Sequence, residues 1–116
     1  MTEPRRGEVW RAYTPGQPTD PHQPRFVLVI SEDARNRARD HVIGVPIFSQ
    51  GRLGPTRLAI PADSTGLRHE SVLFCEELTT IDTDFLTDDG PRGRVGPELL
   101  TQVVVAVRRA IGDLSA

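Results

Sequence analysis

Arg25-Phe26-Val27-Leu28-Val29-Ile30-Ser31 is the stretch that decides the fold. Its centre, Phe26–Ile30, is an unbroken apolar run rich in β-branched residues, the pattern of a buried central strand. On its N-terminal side, Thr14 to Pro24 carries Pro15, Gly16, Pro18, Pro21 and Pro24, a density that forbids regular structure. That segment is a long loop, and long loops in compact domains are often functional. Before it, Gly7 to Tyr13 reads as a first strand, with Val9 and Trp10 as its bulky residues. On the C-terminal side, the charged segment Ser31 to Asp40 predicts a short helical turn capped by Ser31. His41 to Phe48 reads as a third strand, in which Gly44 and Pro46 mark a bulge or an edge. Ser49 to Pro55 is a turn, Thr56 to Ile60 a short strand, and Pro61 to His69 a loop. Ser71 to Glu77 and Leu78 to Ile81 form a strand or two with a kink, and Asp82 to Gly96 is turn-rich.

The last element is a helix. Pro97 suits its first position, and Glu98 favours the positive end of the helix dipole. Leu99, Leu100, Val103, Ala106, Val107, Ala110 and Ile111 recur every three to four residues. Arg108 and Arg109 fall in the final turn, and Gly112 is the stop. Val104 and Val105 widen the apolar face beyond one packing surface, a pointer to a second contact such as another subunit. No strand–helix–strand alternation occurs, so the sheet is expected to be mostly antiparallel. The expected fold is α+β, mainly β: a small, strongly curved antiparallel sheet or half-barrel with a C-terminal helix against it.

Composition bounds the function. The chain has 116 residues, the size of one domain spanning residues 1–116. Its longest apolar runs are five residues, against about 20 for a membrane helix. Met1 to Gly7 are polar and carry no leader pattern. One cysteine, Cys75, fits a reducing cytoplasm, and three scattered histidines make no zinc motif. The formal charge of −2 excludes nucleic-acid binding through net charge, though not through a local patch. All 14 cationic side chains are Arg, so each is a planar fork suited to phosphate or carboxylate.

No phosphate loop, dinucleotide fingerprint or metalloprotease helix is present. His22, His41 and His69 read as ordinary surface or strand residues, and Cys75, after Val72–Phe74, as a buried structural thiol. Two features stand out. Arg25 lies where the proline loop enters the buried strand, either anchoring the loop or contacting an anion at the sheet edge. Arg35, Arg37 and Arg39 are spaced by two beside Asn36, either as a solvated segment balanced by Glu32, Asp33 and Asp40 or as a cationic rim.

The order of short motifs resembles the MazF/PemK toxin family. Arg6-Gly7-Glu8-Val9-Trp10 is similar to the family's opening strand. Arg25 to Ser31 resembles its central strand, and Ser31, Asp33 and Asn36 match its S-x-D-x-x-N turn. Val42-Ile43-Gly44-Val45-Pro46-Ile47 looks like its V-I-x-V-P-L strand. Gly66-Leu67, Ser71-Val72, Cys75-Glu76 and Thr80-Ile81 follow in the family's order. The resemblance runs from about Arg6 to Gly112.

The resemblance implies an SH3-like barrel with a C-terminal helix, usually a homodimer. It implies a toxin of a type II toxin–antitoxin pair: a cytoplasmic, metal-independent and cofactor-free endoribonuclease acting on single-stranded RNA. In that chemistry the RNA's own 2′-hydroxyl attacks the adjacent phosphate, leaving a cyclic phosphate and a 5′-hydroxyl. It requires a proton acceptor, a proton donor and a cation on the pentacoordinate phosphate. By resemblance Arg25 is the catalytic acid/base and phosphate binder. The family's Thr after V-P-L is Phe48 here, followed by Ser49, the substitute donor. Strand alternation turns Ser49 away from the groove unless the strand end rotates. The Glu that some members carry in the first loop has only Asp20 as a loose counterpart, and the proline after the family's Arg is Phe26. Implied RNA contacts are Tyr13, Gln17, Arg35, Arg37 and Phe48, the last either stacking on a base or buried in the barrel. An acidic antitoxin is the implied protein partner. The alternative is a non-catalytic module on the same fold, binding RNA or poisoning a protein as CcdB relatives do.

Overall fold

The computed structural model describes residues 3–13 and 23–115. The strands are β1 (Glu8–Ala12), β2 (Arg25–Val29), β3 (His41–Phe48), β4 (Arg57–Ile60), β5 (Ser71–Phe74), β6 (Thr79–Asp82) and β7 (Gly93–Arg94). The helices are α1 (Asp33–Ala38) and α2 (Pro97–Ala110), with 3₁₀ turns at Cys75–Glu77 and Thr83–Phe85. The sheet order is β4-β5-β3-β2-β1-β7, with β6 also on β3. Every ladder is antiparallel. Its two edges meet. The loop leaving β4 returns to β7, where Arg94 N–H donates to the Ser64 carbonyl at 2.9 Å and the Ser64 hydroxyl donates to the Arg94 carbonyl at 3.1 Å. Joining the edges removes the unpaired rows of an open sheet.

Period-two alternation sends side chains to both faces, and each face has its own core. Val9, Leu28, Val45, Ile47, Ile60 and Leu73 face α2, whose Val103 and Ala106 are fully buried among them. Trp10, Ala12, Val27, Val29 and Val42 lie on the other face and cluster with Leu86 and with Ile81 of β6, the ladder partner of Val42. The two-sided burial of Val27, Leu28 and Val29 is why this run is continuously apolar. Cys75 is buried, as its apolar neighbourhood implies. Burial pushes its thiol up to about 11, with the Glu76 charge adding to the shift.

Two local expectations fail. Pro46 marks neither edge nor bulge. It pairs with Val27 in the centre of the sheet, where β3 forks: β6 takes His41–Gly44 and β5 takes Ile47–Phe48. The proline sits between those partners, where its missing N–H interrupts neither of the two ladders. Ser31 does not cap α1, whose N-cap is Glu32 without a side-chain hydrogen bond. The Ser31 hydroxyl instead donates to Asn36 Oδ1 and accepts from Ile43 N–H at 3.0 Å. Asn36 Nδ2 returns a bond to the Ser31 carbonyl at 3.0 Å, and Asp33 Oδ1 accepts from Arg6 N–H at 2.7 Å. The S-x-D-x-x-N pattern therefore bolts α1 to β3 and to the start of β1.

Helix α2 begins with Pro97 and ends before Gly112, whose φ of +95° a side chain would resist. Val104 and Val105 are only half-buried and line shallow grooves on the helix's outer side. No helix among the described residues is long and apolar enough to cross a membrane.

Candidate active site

Strand register builds the site. Phe26 pairs with Ile47 and Val27 with Pro46, so the next step along the ladder sets Arg25 against Phe48. The Arg25 guanidinium carbon lies 4.6 Å from the centre of the Phe48 ring. On β5, Val72 is the direct partner of Phe48, which puts Phe74 diagonally across on the same face. The two rings are 4.5 Å apart and tilted by 56°. Phe74 in turn pairs with Arg57 of β4, whose guanidinium carbon is 4.1 Å from the ring centre. Cation, ring, ring and cation thus follow one another across four strands. Each cation–π contact at a partly exposed site is worth about 0.5–1 kcal/mol. Arg57 Nε also donates to Glu76 Oε2 at 2.8 Å. Burial raises the Glu76 carboxyl, but the bonds from Arg57 outweigh it and hold the group below its ordinary range. The loop after β3 closes on this platform at Gly51, where a Cβ would stand 2.7 Å from the Phe74 ring.

Next to the platform is a cleft of about 310 Å³. Phe26, Ile47 and Leu67 supply apolar surface, while Arg11, Arg68 and Arg92 line it with charge. Arg92 Nη1 donates to Asp89 Oδ2 at 3.2 Å, and Arg11 Nη1 stands 3.6 Å from the same oxygen. One carboxylate therefore orients two of the three guanidinium groups. Gly66 turns the loop at φ +78°, and a Cβ there would collide with the Arg92 carbonyl. The sequence does not mark these three arginines, because they come from three separate segments with no common spacing.

Ser49 lies one residue beyond the end of β3, is exposed, and lines the same cleft as Phe48. Strand alternation does not bind it, because the strand has already ended. Phe48 is half-buried between Arg25 and Phe74. Tyr13 is 52% exposed, just past the Ala12–Arg25 pair, with its N–H on the Phe85 carbonyl. Gln17, Asp20 and His22 lie outside the described residues. His69, which reads in the sequence as an ordinary surface residue, is exposed and lines the cleft.

Arg35 and Arg37 are not brought to the site. They stand on α1, beyond the opposite end of β2, with about 13 Å of strand between that end and Arg25. Arg35 is already engaged: Nη1 donates to the His41 carbonyl at 3.3 Å and Nη2 contacts His41 Nε2 at 2.8 Å. The other ring nitrogen of His41 is 3.2 Å from Asp40 Oδ1, and that hydrogen bond holds the Asp40 carboxyl below its usual range. Among the described residues no group of three His, Cys, Asp or Glu side chains is placed to hold a metal ion.

The family of the PemK-like, MazF-like toxin of type II toxin-antitoxin systems matches residues 5–111. An endoribonuclease from a mycobacterial species superposes with a TM-score of 0.75 at 26% identity, over 97% of this chain and 94% of the other. A mycobacterial endoribonuclease solved with its cognate antitoxin gives 0.76 at 27% identity, over 94% and 95%. MazF from Deinococcus radiodurans shares the fold, with a TM-score of 0.77 at 19% identity over 97% and 99%. No curated protein matches the chain.

Proposed function

The chain belongs to the PemK-like, MazF-like toxin family, and from that membership we propose that it is an endoribonuclease that cuts single-stranded RNA and is restrained by an antitoxin. Two of the superposing structures are endoribonucleases, one of them bound to its antitoxin. The observation that carries the reading is the position of Arg25, at the entrance of β2, with its guanidinium over Phe48 and the arginine-lined cleft beginning at Phe48 and Ser49.

The reaction is a transesterification. The 2′-oxygen bonds to phosphorus, the bond from phosphorus to the 5′-oxygen breaks, and the 2′ proton leaves as the 5′-oxygen gains one. No protein nucleophile or metal enters these steps. Negative charge builds on the phosphoryl oxygens, and a guanidinium with five donors is suited to meet it. Arg25 supplies that cation. Arg25 is also the acid/base of this proposal, through which the 2′ proton is taken and the 5′-oxygen receives one. Ser49 supplies the hydrogen-bond donor that the family draws from the threonine replaced by Phe48. The active form is a homodimer, a reading supported by the half-buried Val104 and Val105 on the outer side of α2. An acidic antitoxin segment covers the arginine-lined groove.

A second reading rests on Phe48. An aromatic where the family carries a hydroxyl suits a module that binds RNA without cutting it.

The test is incubation of a long single-stranded RNA with purified protein in EDTA, beside Arg25→Ala. Fragments ending in cyclic phosphate, absent with the variant, support the proposal. A folded wild-type protein that yields no fragments supports the binding module instead.

A further inference from the structure

The row of cations and rings that ends at Arg25 is anchored at its other end. There Arg57 is held twice: its Nε donates to Glu76 Oε2 at 2.8 Å, and its guanidinium carbon lies 4.1 Å from the centre of the Phe74 ring. Glu76 also accepts from the Thr56 hydroxyl at 3.4 Å. Phe74 is confined by the turn after β3 as well. The Gly51 backbone comes so close that a Cβ there would stand 2.7 Å from the ring, an approach that glycine allows. Phe74 meets Phe48 at 4.5 Å between ring centres, and the Arg25 guanidinium lies over Phe48 at 4.6 Å. Both rings are only partly buried, and neither belongs to the two core clusters. Contacts along the row, rather than enclosure in the core, therefore set the two rings.

From these contacts we infer that Phe74 is a positioning residue for cleavage: it holds the Phe48 ring in the orientation that sets where the Arg25 guanidinium stands. The inference rests on the endoribonuclease reading, which gives Arg25 its role, and adds to it a residue that acts only through Phe48. A cation–π contact fixes a charge only as well as its ring is fixed. A partly exposed Phe side chain without a neighbour is free to change rotamer. Phe74 removes that freedom from Phe48, and Arg57 and Gly51 remove it from Phe74. The reaction is sensitive to such support. A cation that meets developing phosphoryl charge is effective when it is already in place, and a displacement of about 1 Å forfeits much of its benefit. Because the cation is displaced rather than removed, the loss falls on the maximal rate more than on RNA binding.

The test reads the position of Arg25 directly by NMR. In wild type the Phe48 ring current should move the Arg25 Nε–Hε and Cδ–Hδ proton signals upfield, and Arg25→Lys assigns the Nε–Hε signal by its loss. In Phe74→Leu these shifts should collapse towards ordinary arginine values, with the fold checked by circular dichroism. Single-turnover cleavage of a long single-stranded RNA should slow about threefold at saturating protein, the scale of one cation–π contact, with the half-saturating concentration unchanged. Phe48→Leu should cost a similar factor. The double variant should lose no more than either single one, because both break the same row, whereas independent effects would multiply to about ninefold. Gly51→Ala pushes the Phe74 ring without removing it and should move the same signals, so it decides the matter if Phe74→Leu does not fold. Unmoved Arg25 signals in a folded Phe74→Leu protein overturn the inference. Moved signals with an unchanged rate, or losses that multiply, also overturn it and leave Phe74 a packing residue. A wild-type protein that cuts no RNA overturns the endoribonuclease reading and the role in cleavage with it, while the Arg25 signals still decide whether Phe74 places the cation.

Discussion

The Arg25 guanidinium carbon stands 4.6 Å from the centre of the Phe48 ring, so the residue that ends β3 meets the cation that opens β2. The ring is itself braced by Phe74 at 4.5 Å. Phe48 therefore presents a braced ring face to the charge of Arg25.

Phe48→Leu keeps an apolar side chain and removes the π-face. An interaction worth about 0.5–1 kcal/mol corresponds to a roughly two- to fivefold loss in cleavage rate, with a loss of folding stability no larger than about 1 kcal/mol. Phe48→Thr tests the opposite idea: a faster enzyme would mean that the ring is an obstacle and the stack is incidental. Single-turnover cleavage rates separate the two.

Glu76 is paired with Arg57 and its carboxyl is held below the usual range. A carboxyl depressed by folding adds stability above its unfolded pKa, and that stability is lost as pH falls through the folded value. Glu76→Gln should therefore cost a few tenths of a kcal/mol to about 1 at pH 7, a range set by solvent screening of the exposed pair. The gap to wild type should close as pH falls below about 4. Urea unfolding at both pH values measures it, and a gap that persists in acid would assign the loss to packing.

Cys75 is buried, and its thiol is pushed up to about 11. The thiolate is the reactive form. Iodoacetamide should leave the native protein unmodified at pH 8 and label it after denaturation in urea. Because the folded value lies above the unfolded one, the protonated thiol's contribution is complete below about pH 8.5 and declines as pH rises towards 11. Rapid native labelling at pH 8, read by mass spectrometry, would show that the 3₁₀ turn opens readily.

Ser31 and Asn36 share a buried network with the Ile43 N–H. Ser31→Ala strands buried partners and should cost about 1–3 kcal/mol. Asn36→Ala should cost a similar amount, and the double variant less than the sum, because both remove the same network. Additive losses in urea unfolding would mean that the two residues act independently.

Much of the scaffold is legible along the chain. Phe26–Ile30, the 41–48 strand and the Pro97 helix stand out because apolar periodicity and caps are local signals. Ser31 reads as a cap because a serine before a charged turn offers the same hydroxyl to a cap or to a side-chain network, and only packing chooses. Pro46 misleads for a related reason. A proline reads as an edge unless the neighbouring strand divides, and division is invisible along one strand. Arg35 reads as part of a free cationic rim, yet His41 engages it.

The sequence alone determined the order of the strands up to Ile81 and of the terminal helix, the burial of Cys75 and the entry of Arg25 into a central strand, since each depends on residues close along the chain. The two-residue β7 inside the turn-rich 82–96 segment was not legible. Only the tertiary structure decided that Phe48 and Phe74 brace Arg25 and Arg57. Only it could bring Arg11, Arg68 and Arg92 to one cleft, with Arg11 and Arg92 on a single carboxylate. The physical reason is register: side chains on different strands meet according to ladder alignment and the turns that set it. Those pairings join positions far apart in the chain, which carry no shared spacing to read.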